Sequence, residues 1–135
     1  MWRILGTILA LLGMLGVSLM PSLAGSLTVD DLQGTWKLVE IGSHPMRPNS
    51  TMALPEFTVS SESIAGFDGC NNFWGRLDQP GSVGTTRIGC PEGVLKLPLD
   101  LSDPLSHLRS GQIHQGRLIL PHRNATPSAV FKRLD

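Results

Sequence analysis

Two short segments constrain this chain most: Gly66-Phe67-Asp68-Gly69-Cys70-Asn71-Asn72-Phe73-Trp74-Gly75 and Thr85-Thr86-Arg87-Ile88-Gly89-Cys90-Pro91, which hold its two cysteines. Glycines, asparagines and aromatics gathered around a cysteine describe a tight backbone corner. Neither segment supplies an obvious acid, base or activated nucleophile. A bridge from Cys70 to Cys90 would close a loop of about 20 residues and stabilise the fold by about 3 kcal/mol in the chain-entropy account. One structural disulfide is the first reading, ahead of two buried thiols or a redox pair, since a redox pair usually has the closer spacing of Cys-x-x-Cys.

A disulfide needs an oxidising compartment, and the N-terminus reads as the route to one. Met1-Trp2-Arg3 carries one positive charge, residues 4–20 are almost wholly apolar, and Pro21 precedes Ser22-Leu23-Ala24. This is the order of a secretory signal peptide cleaved after Ala24. The apolar run approaches the length of a membrane span, so a retained anchor is the competing reading. The helix-breaking proline and the small residues behind it favour cleavage. No cysteine follows the run to take a lipid. The expected organisation is therefore a signal peptide, 1–24, and one domain, 25–135, exported to the periplasm or the cell exterior without a membrane anchor. Without Arg3 the remainder carries 10 Lys and Arg against 11 Asp and Glu. That balance speaks against a nucleic-acid surface, which needs clustered positive charge.

Thr28-Val29-Asp30-Asp31 pairs a hydroxyl cap with an acid three residues on and predicts one helical turn before Gly34. Residues 35–41 are rich in branched and bulky side chains and predict the first strand. Residues 42–55 read as a proline-rich loop. Short extended runs follow at 56–60, 63–67, 73–77 and 83–88, with a turn at Asp78-Gln79-Pro80-Gly81. The leucine-rich stretch 92–101 is broken by Pro98, and Asp103-Pro104 is an N-cap with proline at the first helical position, predicting a helix over 104–109. Residues 112–114 and 117–120 flank Gln115-Gly116 as a hairpin, and 128–134 is the last strand. Seven or eight short strands with one or two short helices predict a mainly β, small antiparallel domain curled into a barrel-like or sandwich form, since closure protects strand edges.

Gly34-Thr35-Trp36-Lys37-Leu38-Val39, the Gly-Cys-Asn segment from Gly66 to Gly75, and Thr86-Arg87-Ile88-Gly89-Cys90-Pro91 together resemble the META domain family, the group typified by HslJ-like heat-shock proteins. The similarity runs from about Leu27 to the C-terminus. It implies an antiparallel barrel-like domain, usually exported and often lipid-anchored, with roles in envelope stress, antibiotic tolerance and virulence and without an established catalytic activity. The chain departs from many relatives in lacking the lipid-accepting cysteine and in breaking the stretch after Cys90 with Pro98 and Pro104.

Asn71 and Asn72 suit the turns of the corner, and with Trp74 they also offer an aromatic face flanked by hydrogen-bonding groups. Arg87 is expected to fork onto a carboxylate, Asp68 before a ligand. Asn71, Asn72, Trp74 and Arg87 are thus the candidate binding residues. His44, His107, His114 and His122 lie too far apart for a compact metal motif and are expected on the surface. Asn49-Ser50-Thr51 and Asn124-Ala125-Thr126 fit the glycosylation pattern and read as exposed loops. No catalytic residue, metal or cofactor is identified. The expected function is a non-catalytic factor of the envelope stress response that binds an envelope protein or component; the alternative is a small barrel that binds a ligand or glycan, or inhibits an extracellular hydrolase.

Overall fold

The computed structural model describes residues 26–46 and 53–135. The leader and the Asn49-Ser50-Thr51 triplet lie outside the described residues. The chain opens with α1 (Val29–Leu32), then β1 (Gly34–Ile41), β2 (His44–Pro45), β3 (Glu56–Val59), β4 (Ser63–Phe67), β5 (Asn72–Arg76) and β6 (Gly84–Thr85). It continues through α2 (Pro104–Arg109), β7 (Gln112–His114), β8 (Arg117–Leu120) and β9 (Ala129–Arg133). The fold is mainly β, as predicted.

All pairings are antiparallel, and the strands form one sheet in the order β6-β5-β4-β3-β1-β9-β8-β7, with β2 appended to β1. The ends of that order, β6 and β7, do not pair with each other, so the domain is barrel-like only loosely. The chain between those two edges supplies core instead of a ladder. Leu97, Leu99 and Leu108 are buried in the same cluster as Trp36, Phe73 and Leu118. Backbone bonds from Leu97 to Asp68 (2.8 Å) and from Gly81 to Ser102 (2.9 Å) tie this connection to the β5 end of the sheet.

Alternation decides which face is inside. Trp36 and Leu38 from β1, Phe57 and Val59 from β3, Ile64 from β4, Phe73 from β5, and Ala129 and Phe131 from β9 are all buried. Phe57 and Phe131 meet edge to face with centroids 5.0 Å apart, the arrangement that the ring quadrupoles favour. Gly66 lies opposite both Phe57 and Phe73 in the register. A methyl group there would come within 2.9 Å of the Phe73 ring, so glycine at this position is what lets the large rings pack.

The short helices are specified locally. Thr28 and Asp31 form a reciprocal capping box at α1, and Asp103 caps α2 with Pro104 at its first position. Arg133 closes the other end of α1, donating to the carbonyls of Gln33 (2.7 Å) and Asp31 (2.9 Å) while its guanidinium lies 4.3 Å over the Trp36 ring. The Trp36 indole N–H donates to Leu32 O at 2.8 Å. The tight hairpin of β7 and β8 turns at Gln115 and Gly116, both at positive φ, the geometry that suits the right-handed strand twist.

Two expectations are corrected. The strand predicted over 83–88 shrinks to Gly84–Thr85, because after one last backbone bond from Thr86 to Asn72 the Asn71 side chain, not a neighbouring strand, bonds the Ile88 main chain. His107, expected on the surface, is fully buried. Its Nδ1 accepts from the Asp100 N–H at 3.0 Å and its Nε2 lies 3.1 Å from Pro121 O. Those partners are consistent only with the neutral tautomer that carries its proton on Nε2.

Candidate functional site

Cys70 and Cys90 form the disulfide, with Cα atoms 5.7 Å apart. Around it the polar side chains bond the main chain. Asp68 Oδ1 accepts from the N–H groups of Cys70 (2.9 Å) and Asn71 (2.6 Å). This is an Asx turn, and it replaces the expected ion pair: among the described residues Arg87 makes no salt bridge with Asp68 or another acid. Gly69, at φ +109°, packs against Leu95, where a side chain would collide with the Leu95 carbonyl.

Asn71 reaches across the bridge to residues 86–88. Its Oδ1 accepts from the Thr86 hydroxyl at 2.9 Å and the Ile88 N–H at 2.8 Å, and its Nδ2 donates to Ile88 O at 3.4 Å. A side-chain amide therefore takes the place of a neighbouring strand. Thr86 is bound a second time, its N–H donating to Asn72 O at 2.9 Å and its hydroxyl accepting from the Asn72 N–H at 3.1 Å. Sequence reasoning named Asn71 for its tolerance of turns; its larger task is to hold a loop that would otherwise lack partners. A recess of about 380 Å³ opens beside the disulfide, lined by Asp68, Asn71, Val94 and Lys96 among others.

The remaining candidates point outward. Asn72 is exposed, and Phe73 behind it is buried, as strand alternation requires. Trp74 is 54% exposed, and its register partners are Ala65 on one side and Gly84 on the other. Its indole passes within ordinary contact of the position a Gly84 side chain would take, 3.6 to 3.7 Å. Small neighbours leave the ring face open. The adjoining depression, about 500 Å³, is bordered by Ser63, Arg76 and Ser82. The Arg76 charge is already matched by Asp78 at 3.1 Å and Glu62 at 3.7 Å. Asp78 sits below its ordinary carboxylate range because it accepts from Arg76.

The site that sequence reasoning missed surrounds His107. Burial pushes its imidazole below the ordinary value of 6.5, and Arg123 adds to that shift while Pro121 O and Asp100 oppose it. Asp100 accepts from Ser102, which holds its carboxyl low, and pairs with Arg123 at 3.3 Å. Arg123 also bonds Ser106 Oγ at 2.9 Å and lies 3.9 Å from Asp103. This network closes a corner of the fold.

No curated protein matches the chain in sequence. A protein structure solved by NMR is similar, with a TM-score of 0.53 and 20% identity over 79% of this chain and 95% of that one. At that identity the likeness is one of fold alone. The META domain family matches residues 27–134. That span holds every element of the sheet and both cysteines of the corner, and the chain belongs to the META domain family.

Proposed function

We propose that this chain is an exported, non-catalytic META-domain protein that acts in the cell envelope, in stress response and antibiotic tolerance, by binding an envelope protein or component. The observation that carries the binding role is Trp74, a large apolar side chain exposed on a well-paired strand and flanked by Ala65 and Gly84. Leaving an indole in water forgoes its burial energy, and an open aromatic face beside hydroxyl groups such as those of Ser63 and Ser82 is a common contact for sugars and peptides. The neutralised Arg76 beside it favours an uncharged contact, such as a glycan face, over an anionic one. The disulfide supports export, because such bridges persist in oxidising compartments.

The test is capture of partners from an envelope extract with the protein and its Trp74→Ala variant. A specific partner, protein or glycan, that is lost with the indole supports the reading. Identical partners for both forms would remove Trp74 as the contact.

A further inference from the structure

We propose that the loop over residues 86–90 seats in and blocks a serine protease whose specificity pocket carries a carboxylate, with Arg87 as the side chain that enters that pocket. The proposal goes beyond the binding role above and does not depend on Trp74.

The loop combines features that seldom occur together in an exposed segment. Arg87, Ile88, Gly89 and Cys90 are all exposed, Ile88 to 65%. Ile88 lies next to the exposed Arg87, so a partner that takes the guanidinium meets an apolar side chain beside it. One side chain, Asn71, nevertheless grips the loop on both sides of the Arg87–Ile88 bond, through the Thr86 hydroxyl before it and the Ile88 main chain after it. Before the Arg87–Ile88 bond, the Thr86 hydroxyl donates to Asn71 Oδ1; after it, the Ile88 N–H donates to the same oxygen and Ile88 O accepts from Asn71 Nδ2. Two residues further on, Cys90 is covalently tied to Cys70, the neighbour of Asn71. A flexible loop loses conformational freedom on binding, and this one has already lost much of it, which favours tight association.

The choice of protease follows from charge. Thr86 is turned inward, whereas Arg87 is exposed and, among the described residues, in no ion pair. A pocket with an aspartate at its base pairs such a guanidinium, while an apolar pocket would bury it unpaired at high cost.

The same clamp explains why the loop would block the enzyme rather than feed it. The protease serine attacks the Arg87 carbonyl carbon, its proton passes through the catalytic histidine to the Ile88 nitrogen, and the C–N bond breaks to leave an ester. With an ordinary substrate the amine product leaves and water cleaves the ester. Here the new Ile88 amine stays beside the ester, held by Asn71 and by the disulfide. It attacks the ester carbonyl, re-forms the peptide bond and returns the proton to the serine, because a tethered nucleophile outcompetes a diffusing one.

The experiment uses protein expressed from the full chain into an oxidising compartment and titrated against trypsin and chymotrypsin with small chromogenic substrates. Stoichiometric block of trypsin, with chymotrypsin untouched, is the expected result. Arg87→Leu, on an exposed side chain, should keep the thermal midpoint, weaken trypsin inhibition at least about 30-fold and transfer inhibition to chymotrypsin. Asn71→Ala should turn the protein into a substrate cut after Arg87. Trp74→Ala should inhibit as well as the parent. Should Asn71→Ala not fold, Arg87→Leu decides alone. Trypsin that keeps full activity with excess protein, or that cuts the loop through and recovers, would overturn the proposal.

Discussion

At the corner between β5 and β6 the Asn71 amide bonds Thr86 and Ile88, and at the α2 corner the His107 imidazole bonds Asp100 and Pro121. Each side chain stands in for a missing strand, satisfying backbone groups on a distant segment. The amide does not titrate, and its corner carries a covalent bridge. The imidazole does titrate, and its corner is otherwise held by ionic and hydroxyl contacts among Asp100, Arg123, Asp103 and Ser106. The first corner is therefore vulnerable to reductant, and the second, which holds no disulfide, is vulnerable to acid through its imidazole. A polar residue at a fold junction fixes geometry in either case; its chemistry decides which condition loosens it.

The comparison can be broken most forcefully by removing the bridge. Replacing Cys70 and Cys90 with serine should lower unfolding free energy by about 3 kcal/mol, measured by denaturant titration, with hydrogen exchange rising at residues 86–90 and unchanged at α2. Equal rises at both corners would show that they are one cooperative unit. His107→Ala comes next. It leaves a cavity where the buried imidazole stood, strands the partly buried Asp100 N–H and Pro121 O, and should cost about 2–3 kcal/mol, with exchange rising around α2. Asn71→Ala should cost about 1–2 kcal/mol, because its corner is partly open to water and the disulfide remains.

Acid supplies a smaller and sharper test. The folded His107 titrates below 6.5, so above that pH neither state binds the proton and no stability is at stake. As pH falls through 6.5 the unfolded chain takes up the proton first, and stability declines until the folded pKa is passed. Asp100, whose folded pKa lies below 3.8, adds a second loss as pH falls from that value through its own. Thermal midpoints from pH 8 to 3 should trace this decline, and His107→Gln should flatten its upper limb. A parent profile that stays level through pH 6 would refute the assignment. The smallest effect is expected from Arg76→Met, whose surface ion pairs are screened by solvent; a midpoint that moves measurably would show that the Trp74 face depends on that arginine.

Much of the fold was legible because its instructions are local. Asp103-Pro104 marked the start of α2, Gln115-Gly116 marked the hairpin, and the run 128–134 marked the last strand, found at Ala129–Arg133. Strand order was not legible, since nothing in β1 or β9 names the other as its neighbour. The run Thr85-Thr86-Arg87-Ile88 reads as a strand by propensity, yet the Asn71 side chain claims the backbone groups a neighbouring strand would use. His107 was hidden for a related reason: its partners are main-chain atoms, which leave no residue type to recognise. The arginine expected to seek Asp68 found that carboxylate already committed to two backbone N–H groups.

The pairing of β1 with β9 sets an order on assembly. The first strand has β3 on one side and the final strand on the other, and β8 and β7 join the sheet only through β9. During synthesis the early strands can zip together while one flank of Trp36 and Leu38 waits for Phe131. A ribosome stalled before residue 129 would leave two unjoined β fragments, and completion of the domain coincides with arrival of its last few residues.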